Sequence, residues 1–174
     1  AEYVRNSDTD TVNYPWADYI NAITAIVVEE GITNLDNYVF YNLKNVTSVT
    51  LPNSLERLET RIFKGCTSLQ ALTVPSTLKY LGLEAFAGSG IKDLYFKANA
   101  PEKFSGTKPC ANQSMNVHVS CGNASWTADK LSAMGTALSL VLTHKWSGDQ
   151  CTDCGAAKDM PVASVTLDRA SVSL

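Results

Sequence analysis

The sequence predicts a β-rich α/β solenoid, a fold in which short coils of chain stack around a shared core. Two near-copies of one pattern, between Val46 and Gly90, support this prediction. A strand residue, a proline and a phenylalanine each recur at one fixed spacing of 23, in the pairs Val49/Leu72, Pro52/Pro75 and Phe63/Phe86. A fixed period of roughly 20–29 residues with strand-like apolar spacing is typical of repeat solenoids.

Each copy contains the parts of one coil in the same order. Apolar residues alternate at Val49 and Leu51, as in a strand with one buried face. A proline ends the strand because it has no N–H to donate, and an apolar pair follows at Leu55 and Leu58. The phenylalanine then precedes a glycine turn. One coil cannot bury its own apolar residues, whereas stacked coils cover one another, so the pattern favours a stack.

The register extends beyond the two best copies. Phe40 precedes Phe63 by the same spacing, which adds one coil toward the N-terminus. An incomplete coil follows toward the C-terminus, where the spacing from Leu72 to Leu94 shortens to 22. We therefore expect about four coils. The alternative is a chance repetition within an ordinary α/β domain.

The segments outside the repeats differ from them in pattern. We expect caps at both ends, because the open faces of a stack would expose apolar surface. Trp16, Tyr19 and Ile20 fall on one face of a short helix and suit an N-terminal cap. The predicted units are 1–22, an N-terminal cap; 23–97, the repeats; 98–142, a loop and a capping strand–helix–strand; 143–161, a Cys-x-x-Cys motif and linker; and 162–174, the first strand of a truncated domain, with no partner in this chain.

Composition excludes two classes of partner. The chain has 174 residues, of which 45% are hydrophobic and 18% charged, as in a globular protein. A net charge of −3 provides no basic field for nucleic acid or anionic lipid. No apolar run approaches the ~20 residues of a membrane span. We therefore expect no nucleic-acid partner and no direct membrane insertion. The preference for Thr, Ser and Asn over Lys and Glu favours an extracellular location.

The repeat frame resembles a known family. Apolar-x-x-apolar-x-apolar-Pro-x-x-Leu-x-x-Leu, followed by Phe-x-Gly-Cys-x-x-Leu, is similar to the BspA-type leucine-rich repeats of bacterial surface proteins. Residues 63–69 fit the closing signature, and 85–89 fit it with serine in the cysteine position. The first coil departs from it, with Asn42-Leu43 in place of Gly-Cys. The resemblance covers about residues 14–142, and we expect a right-handed leucine-rich-repeat solenoid with short helices and terminal caps.

Two further segments resemble parts of bacterial surface proteins. Residues 162–174 are similar to the opening strand of the second group of bacterial immunoglobulin-like domains. His144-x-Trp146 with Cys151-x-x-Cys154 is similar to a motif found between modules in surface proteins of gut-dwelling Gram-positive bacteria. These resemblances imply a secreted or wall-attached protein of a gut bacterium whose repeats adhere, and they do not imply an enzyme.

We therefore expect a non-catalytic module that binds a protein or glycan on host or neighbouring cells. Two alternatives stay open, namely a structural spacer with no ligand of its own and the targeting region of a secreted multidomain enzyme. We assign no catalytic residues, because neither histidine has a Ser or Cys nucleophile in a recognised elbow nearby. The aromatic residues mostly match core positions, and the two candidates for ligand contacts are Tyr80 and Tyr95.

One group of residues suggests site chemistry. His144, Cys151 and Cys154 are candidate metal ligands, because two thiolates and an imidazole could hold zinc. A structural zinc site has four ligands, and the fourth would have to come through folding from Cys110, Cys121 or His118. Half of a paired Cys-x-x-Cys motif is a weak signal, so the expectation is no cofactor, with a disulfide or free thiols favoured over zinc.

The remaining cysteines have different predicted roles. Cys110 and Cys121 flank a predicted strand, and a disulfide between them is one alternative in an oxidising compartment. Cys66 occupies a buried turn position, where cysteine acts as a small apolar residue.

Overall fold

Parallel strands recur along the chain at the predicted interval. The computed structural model describes residues 15–105, 108–111 and 113–157, and the backbone of three two-residue strands at 4–5, 12–13 and 165–166. These residues form a β-solenoid of about five turns with one short α-helix, which confirms the predicted fold class. The right-handed sense of the coil stays a prediction.

The strands of the described residues are β1 (Val4–Arg5), β2 (Val12–Asn13), β3 (Ala25–Val27), β4 (Asn34–Leu35), β5 (Ser48–Thr50), β6 (Arg57–Leu58), β7 (Ala71–Val74), β8 (Tyr80–Leu81), β9 (Asp93–Phe96), β10 (Lys103–Phe104), β11 (Ser114–Ser120), β12 (Ala137–Thr143), β13 (Trp146–Ser147), β14 (Gln150–Cys151) and β15 (Val165–Thr166). The helices are a 3₁₀ helix (Ala17–Tyr19) and α1 (Ala128–Met134). In the described part of the chain, neither helix has the length and hydropathy of a membrane span.

Two larger sheets run along the solenoid, and their strands are parallel except for β15. The four-stranded sheet has the order β10–β8–β6–β4, and the five-stranded sheet has the order β15–β12–β11–β9–β7. The two-stranded β3–β5 sheet lies beside β7. The register places Leu35 next to Leu58 and Leu58 next to Leu81, each one repeat further along the chain. Equivalent side chains of successive coils are therefore neighbours in the core.

A row of aromatic rings runs through the middle of the stack. Phe40 and Phe63 stack with ring centroids 5.6 Å apart, and Phe63 and Phe86 stack at 6.1 Å. Phe63 and Phe86 are fully buried. Trp16 continues the row at the N-terminal end, 6.3 Å from Phe40. The spacing of the phenylalanines in the sequence is thus the spacing of one coil.

The N-terminal cap differs in one residue from the prediction. Trp16 and Ile20 pack against the core, but the side chain of Tyr19 is 65% exposed. The helix is a single 3₁₀ turn, and Trp16 precedes it with φ −107° and ψ 16°. The i, i+3 spacing of an α-helix therefore does not place Trp16 and Tyr19 on one face. Trp16 packs against the core, whereas Tyr19 does not.

The predicted C-terminal loop and cap continue the solenoid. β10 pairs in parallel with β8 inside the segment that turn-forming residues marked as a loop. β11 pairs in parallel with both β9 and β12, and α1 connects β11 to β12. The Thr127 hydroxyl accepts a hydrogen bond from the Lys130 N–H and caps the helix, whose Leu131 and Met134 are buried.

Only Val165–Thr166 of the predicted immunoglobulin-like strand lies within the described residues. These two residues pair antiparallel with Ser139 and Leu140 of β12. The expectation that this segment has no partner in the chain is therefore wrong for these residues. The rest of 162–174 lies outside the described residues.

The turns between coils use left-handed backbone at fixed repeat positions. Asn42 (φ 62°) occupies the position that Gly65 (φ 79°) and Gly88 (φ 64°) hold in the next coils. Asparagine adopts this conformation more readily than most residues with a Cβ, which explains the departure from the Gly-Cys signature. A Cβ on Gly65 would lie 2.5 Å from Asn42 Oδ1, so the asparagine in one coil favours glycine in the next.

Replacing a ring of the aromatic row is expected to destabilise the whole solenoid. Phe63→Ala should lower the free energy of unfolding by about 3–5 kcal/mol, because it opens a cavity between two coils. The measurement is urea unfolding followed by far-UV circular dichroism. Tyr19→Ala removes an exposed ring and should change the free energy of unfolding by less than about 0.5 kcal/mol. Similar losses in the two variants would contradict the shared core.

The contact between Asn42 and Gly65 gives a second prediction. Gly31→Ala and Gly65→Ala both place a Cβ on left-handed backbone, which costs about 1–2 kcal/mol. A Cβ on Gly31 meets nothing within 4 Å, so Gly65→Ala should destabilise the protein further than Gly31→Ala. In an Asn42→Gly background the excess loss should disappear. Equal losses for the two alanine variants in the parent chain would exclude the proposed contact as a constraint. The readout is the midpoint and slope of urea unfolding.

Candidate functional site

An aromatic pair lies on the outer face of the five-stranded sheet. Tyr95 of β9 is 40% exposed, and the register places it beside His118 of β11. The two rings stack with centroids 4.3 Å apart and an interplanar angle of 16°. Tyr95, a predicted ligand contact, is therefore an exposed ring held flat against a second ring on a rigid strand.

A carboxylate fixes the orientation of the histidine ring. His118 Nε2 lies 2.7 Å from Asp93 Oδ1, and Asn116 Nδ2 donates to the same oxygen at 3.0 Å. The hydrogen bond with His118, followed by that from Asn116, lowers the pKa of Asp93. An ionised carboxylate only accepts hydrogen bonds, so Nε2 of His118 carries the donated proton.

The pair belongs to a longer line of outward-facing residues, which we name the outer row. Its members occupy one repeat position in successive strands of the β3–β5 sheet and the five-stranded sheet. They are Val27, Thr50, Thr73, Tyr95, His118 and Val141. Val27 is 72% exposed at one end of the row. The outer row offers β-branched and aromatic groups along six neighbouring strands.

Tyr80, the other predicted ligand contact, lies on the four-stranded sheet and not beside Tyr95. It is half-buried, and the guanidinium carbon of Arg57 lies 4.1 Å above its ring centroid. Arg57 is itself paired with Glu59 at 2.7 Å. Arg57 occupies the same repeat position one coil earlier. The strand register therefore places the Arg57 side chain over the ring of Tyr80. Tyr80 is therefore less exposed than predicted from the sequence.

The strand register also assembles a cysteine–histidine cluster. β11 and β12 pair in parallel up to Ser120 and Thr143. Cys121 and His144 follow these residues, and the Cys121 N–H donates to the Thr143 carbonyl at 3.0 Å. Two potential ligands one repeat apart in the sequence thus leave the same end of the sheet side by side.

A short hairpin returns the other two cysteines to this point. β13 and β14 pair antiparallel, with Trp146 opposite Cys151. A turn then brings Cys154 close, because the Gly155 N–H donates to the Cys151 carbonyl at 2.8 Å. Ligand atoms of the four residues all lie within 4.8 Å of one another, in a group formed by Cys121, His144, Cys151 and Cys154.

Two neighbouring thiols of the cluster have pKa values shifted in opposite directions. Cys121 Sγ and Cys151 Sγ are 3.2 Å apart. Burial, together with hydrogen bonds to Cys154 and Cys151 that stabilise the protonated thiol, raises the pKa of Cys121 to about 12. Burial opposes ionisation of Cys151 as well, but the hydrogen bond with Cys121 and two backbone N–H groups outweigh it. The pKa of Cys151 is lowered to about 6, which favours its thiolate at neutral pH.

The structure places the remaining candidates elsewhere. The side chain of Cys110 is fully buried, and the seven residues of β11 separate it from Cys121. An extended strand of that length spans roughly 23 Å, so a disulfide between these two cysteines does not fit. Cys66 is fully buried, as predicted, and burial raises its pKa to about 12. His118 is bound to Asp93 on the sheet face, away from the cluster.

The fold and its repeat geometry define a class of protein. Parallel strands whose register advances by one repeat per coil, with leucines facing one shared core, form a leucine-rich-repeat solenoid. The family model for BspA type leucine-rich repeats matches residues 17–107 in six copies, and the chain belongs to this family. The match includes the segment of β10, beyond the four coils expected from the sequence. Repeats of this family occur in bacterial surface proteins, and leucine-rich repeats generally mediate protein–protein binding.

One solved structure is similar to part of the chain. It is a crystal structure of a leucine-rich repeat protein from Bacteroides ovatus, with 18% sequence identity and a TM-score of 0.42. The similarity covers 56% of this chain and 31% of the Bacteroides chain, so the match spans about a third of that protein's length. A comparison with curated proteins found no match.

The hydrogen bonds of Asp93 predict a pH dependence. The pKa of Asp93 is lower in the folded chain, so its stabilising contribution is present above its ordinary pKa and is lost as the pH falls through the folded value. Asp93→Asn should therefore lower the free energy of unfolding at about pH 5, with a smaller difference from the parent protein at about pH 2.5. Urea unfolding at both pH values provides the measurement. Asp18→Asn, at an exposed site, is the control, and a difference that grows in acid would contradict the prediction.

Proposed function

We propose that the chain is a non-catalytic recognition module of a bacterial surface protein, located outside the cell and either secreted or attached to the wall. In this proposal the outer row binds a protein on a host or neighbouring cell, and a glycan is the second ligand class. Membership of the BspA-type family supports the proposal, since leucine-rich repeats generally bind proteins and their fold is generally non-enzymatic.

The observation that carries this proposal is the exposed, stacked pair of Tyr95 and His118. Tyrosine is enriched among residues that dominate binding energy, because its ring buries a large area with few rotatable bonds. Stacking on His118, which Asp93 holds at 2.7 Å, restricts the Tyr95 ring before a partner arrives. A contact that is ordered in advance loses less conformational entropy on binding.

The surroundings of the histidine favour binding over catalysis. Asp93 orients His118 as a carboxylate does in a catalytic triad, but a triad also needs a nucleophile beside the imidazole. Among the described residues, the imidazole of His118 hydrogen-bonds to Asp93 and stacks on Tyr95, with no nucleophile bonded to its other nitrogen. The outer row also extends along strands from β3 to β12, a shape suited to a broad contact with a macromolecule.

Substitution of Tyr95 is expected to weaken ligand binding without unfolding the chain. Tyr95→Ala should reduce affinity about tenfold or more, in line with loss of an aromatic anchor. Tyr19→Ala removes another exposed tyrosine, outside the outer row, and should leave affinity unchanged. The measurement is surface plasmon resonance against purified matrix proteins, mucin and mucin glycans, with circular dichroism to verify folding.

The same panel distinguishes the proposal from a structural spacer. Binding to one or more components that depends on Tyr95 would support recognition by the outer row. Binding that responds equally to Tyr19→Ala and Tyr95→Ala would place the contact elsewhere. Failure to bind any component of a wide panel would favour a spacer with no ligand of its own.

A further inference from the structure

The cysteine–histidine cluster has the composition and geometry of a metal centre. We propose that the chain binds one zinc ion in a closed, four-coordinate structural site formed by Cys121, His144, Cys151 and Cys154. Three thiolates with one imidazole are a recurrent ligand set of structural zinc. Soft sulfur ligands with tetrahedral geometry favour zinc over the hard cations magnesium and calcium.

Two distances within the cluster are close to the edges of a tetrahedron around zinc. Zinc–sulfur bonds of about 2.3 Å and zinc–nitrogen bonds of about 2.05 Å give tetrahedral edges of about 3.8 Å between sulfurs and about 3.6 Å from sulfur to nitrogen. The Cys154 Sγ to His144 Nδ1 distance is 3.5 Å, and the Cys121 Sγ to Cys151 Sγ distance is 3.2 Å. No distance between ligand atoms in the group exceeds 4.8 Å, so changes of up to about 1 Å in these distances would complete the coordination.

The elements around the cluster hold the four ligands in place. Cys121 and His144 are fixed by the parallel pairing of β11 with β12. The Cys-x-x-Cys loop is held by a hydrogen bond between residues that are not ligands, in which Ser120 Oγ donates to Asp153 Oδ2 at 2.7 Å. A Cβ on Gly122 would collide with the Asp153 carbonyl, so the loop lies directly on the chain that follows β11. These contacts are made by residues that are not ligands.

A zinc ion would explain how the β13–β14 hairpin is attached to the solenoid. Residues 145–150 are all exposed, and Cys151 is the buried residue of the β13–β14 hairpin. An isolated two-stranded hairpin is marginally stable in water. Small units without a sufficient core commonly depend on a metal or a disulfide. The four protein ligands leave no position for substrate, so the ion would be a structural link between the hairpin and the last coil.

A disulfide is the competing use of these cysteines. It would bring two sulfurs to about 2.05 Å, and Cys121 and Cys151, whose sulfurs are 3.2 Å apart, are a suitable pair. That bond would not explain why Cys154 and the imidazole of His144 lie close to the same two sulfurs. Coordination to one ion accounts for all four groups, and the disulfide becomes an outcome of the test.

The test is metal binding by the full 174-residue chain, purified under reducing conditions, stripped with chelator and reloaded with Zn²⁺. Elemental analysis should give one equivalent of zinc per chain. Co²⁺ in place of Zn²⁺ should give the visible ligand-field bands of a tetrahedral site and thiolate charge-transfer absorption in the near ultraviolet. Less than a tenth of an equivalent of either metal would overturn the proposal, and so would a Cys121–Cys151 disulfide with no metal uptake after its reduction.

Matched variants connect the metal to these residues. Cys154→Ser changes an exposed ligand and should reduce zinc to below a tenth of an equivalent, with the far-UV spectrum of the solenoid retained. Cys110→Ala changes a cysteine outside the cluster and should keep one equivalent. Equal retention of zinc in the two variants would overturn the assignment.

Limited proteolysis tests the structural role of the ion. Lys145 is exposed, but its carbonyl accepts the Thr152 N–H at 2.9 Å inside the hairpin. Removal of zinc should increase tryptic cleavage after Lys145 at least tenfold, while cleavage within the coils stays unchanged. Cleavage after Lys145 at the same rate with and without zinc would show that the ion does not hold the hairpin.

Discussion

The stability of this protein depends on burial between coils, because no coil contains a core of its own. The ring of Phe63 is enclosed by Phe40 on one side and Phe86 on the other, so each coil contributes to the core of both its neighbours. The backbone follows the same rule, since successive strands pair in parallel with the residues one repeat away. Solenoid stability is therefore a sum over neighbouring coils, and loss of one interface affects both coils that share it.

Much of this architecture could be predicted from the sequence. Phe40, Phe63 and Phe86 repeat at one spacing with prolines and strand residues, and chance rarely gives unlike anchors a common period. The coil beyond residue 97 was harder to detect. The segment around β10 is rich in turn formers, and its two strand residues pair because β8 already lies alongside. Local composition does not contain that long-range information.

The details of the site depended on contacts between coils. Arg57 covers Tyr80, and Cys121 joins His144, because each pair is one repeat apart. An alignment of the repeats would have indicated both pairs. The same spacing distinguishes Cys121 from Cys110, which lies at the other end of β11. Spacing does not show that the hairpin returns Cys151 and Cys154 to the same point, because these two residues lie outside the repeat register.

The coils are similar in shape, but their order is not interchangeable. Asn42 favours glycine at the equivalent position of the following coil, since a Cβ there would displace its side chain. Gly65 has no side chain, and a Cβ on Gly88 in the coil after it would lie 4.0 Å from the Gly65 nitrogen, an ordinary contact. A protein engineer who wished to lengthen this solenoid would do better to duplicate the coil that contains Gly65, because two consecutive copies of the coil that contains Asn42 would force an asparagine side chain to move at the joint.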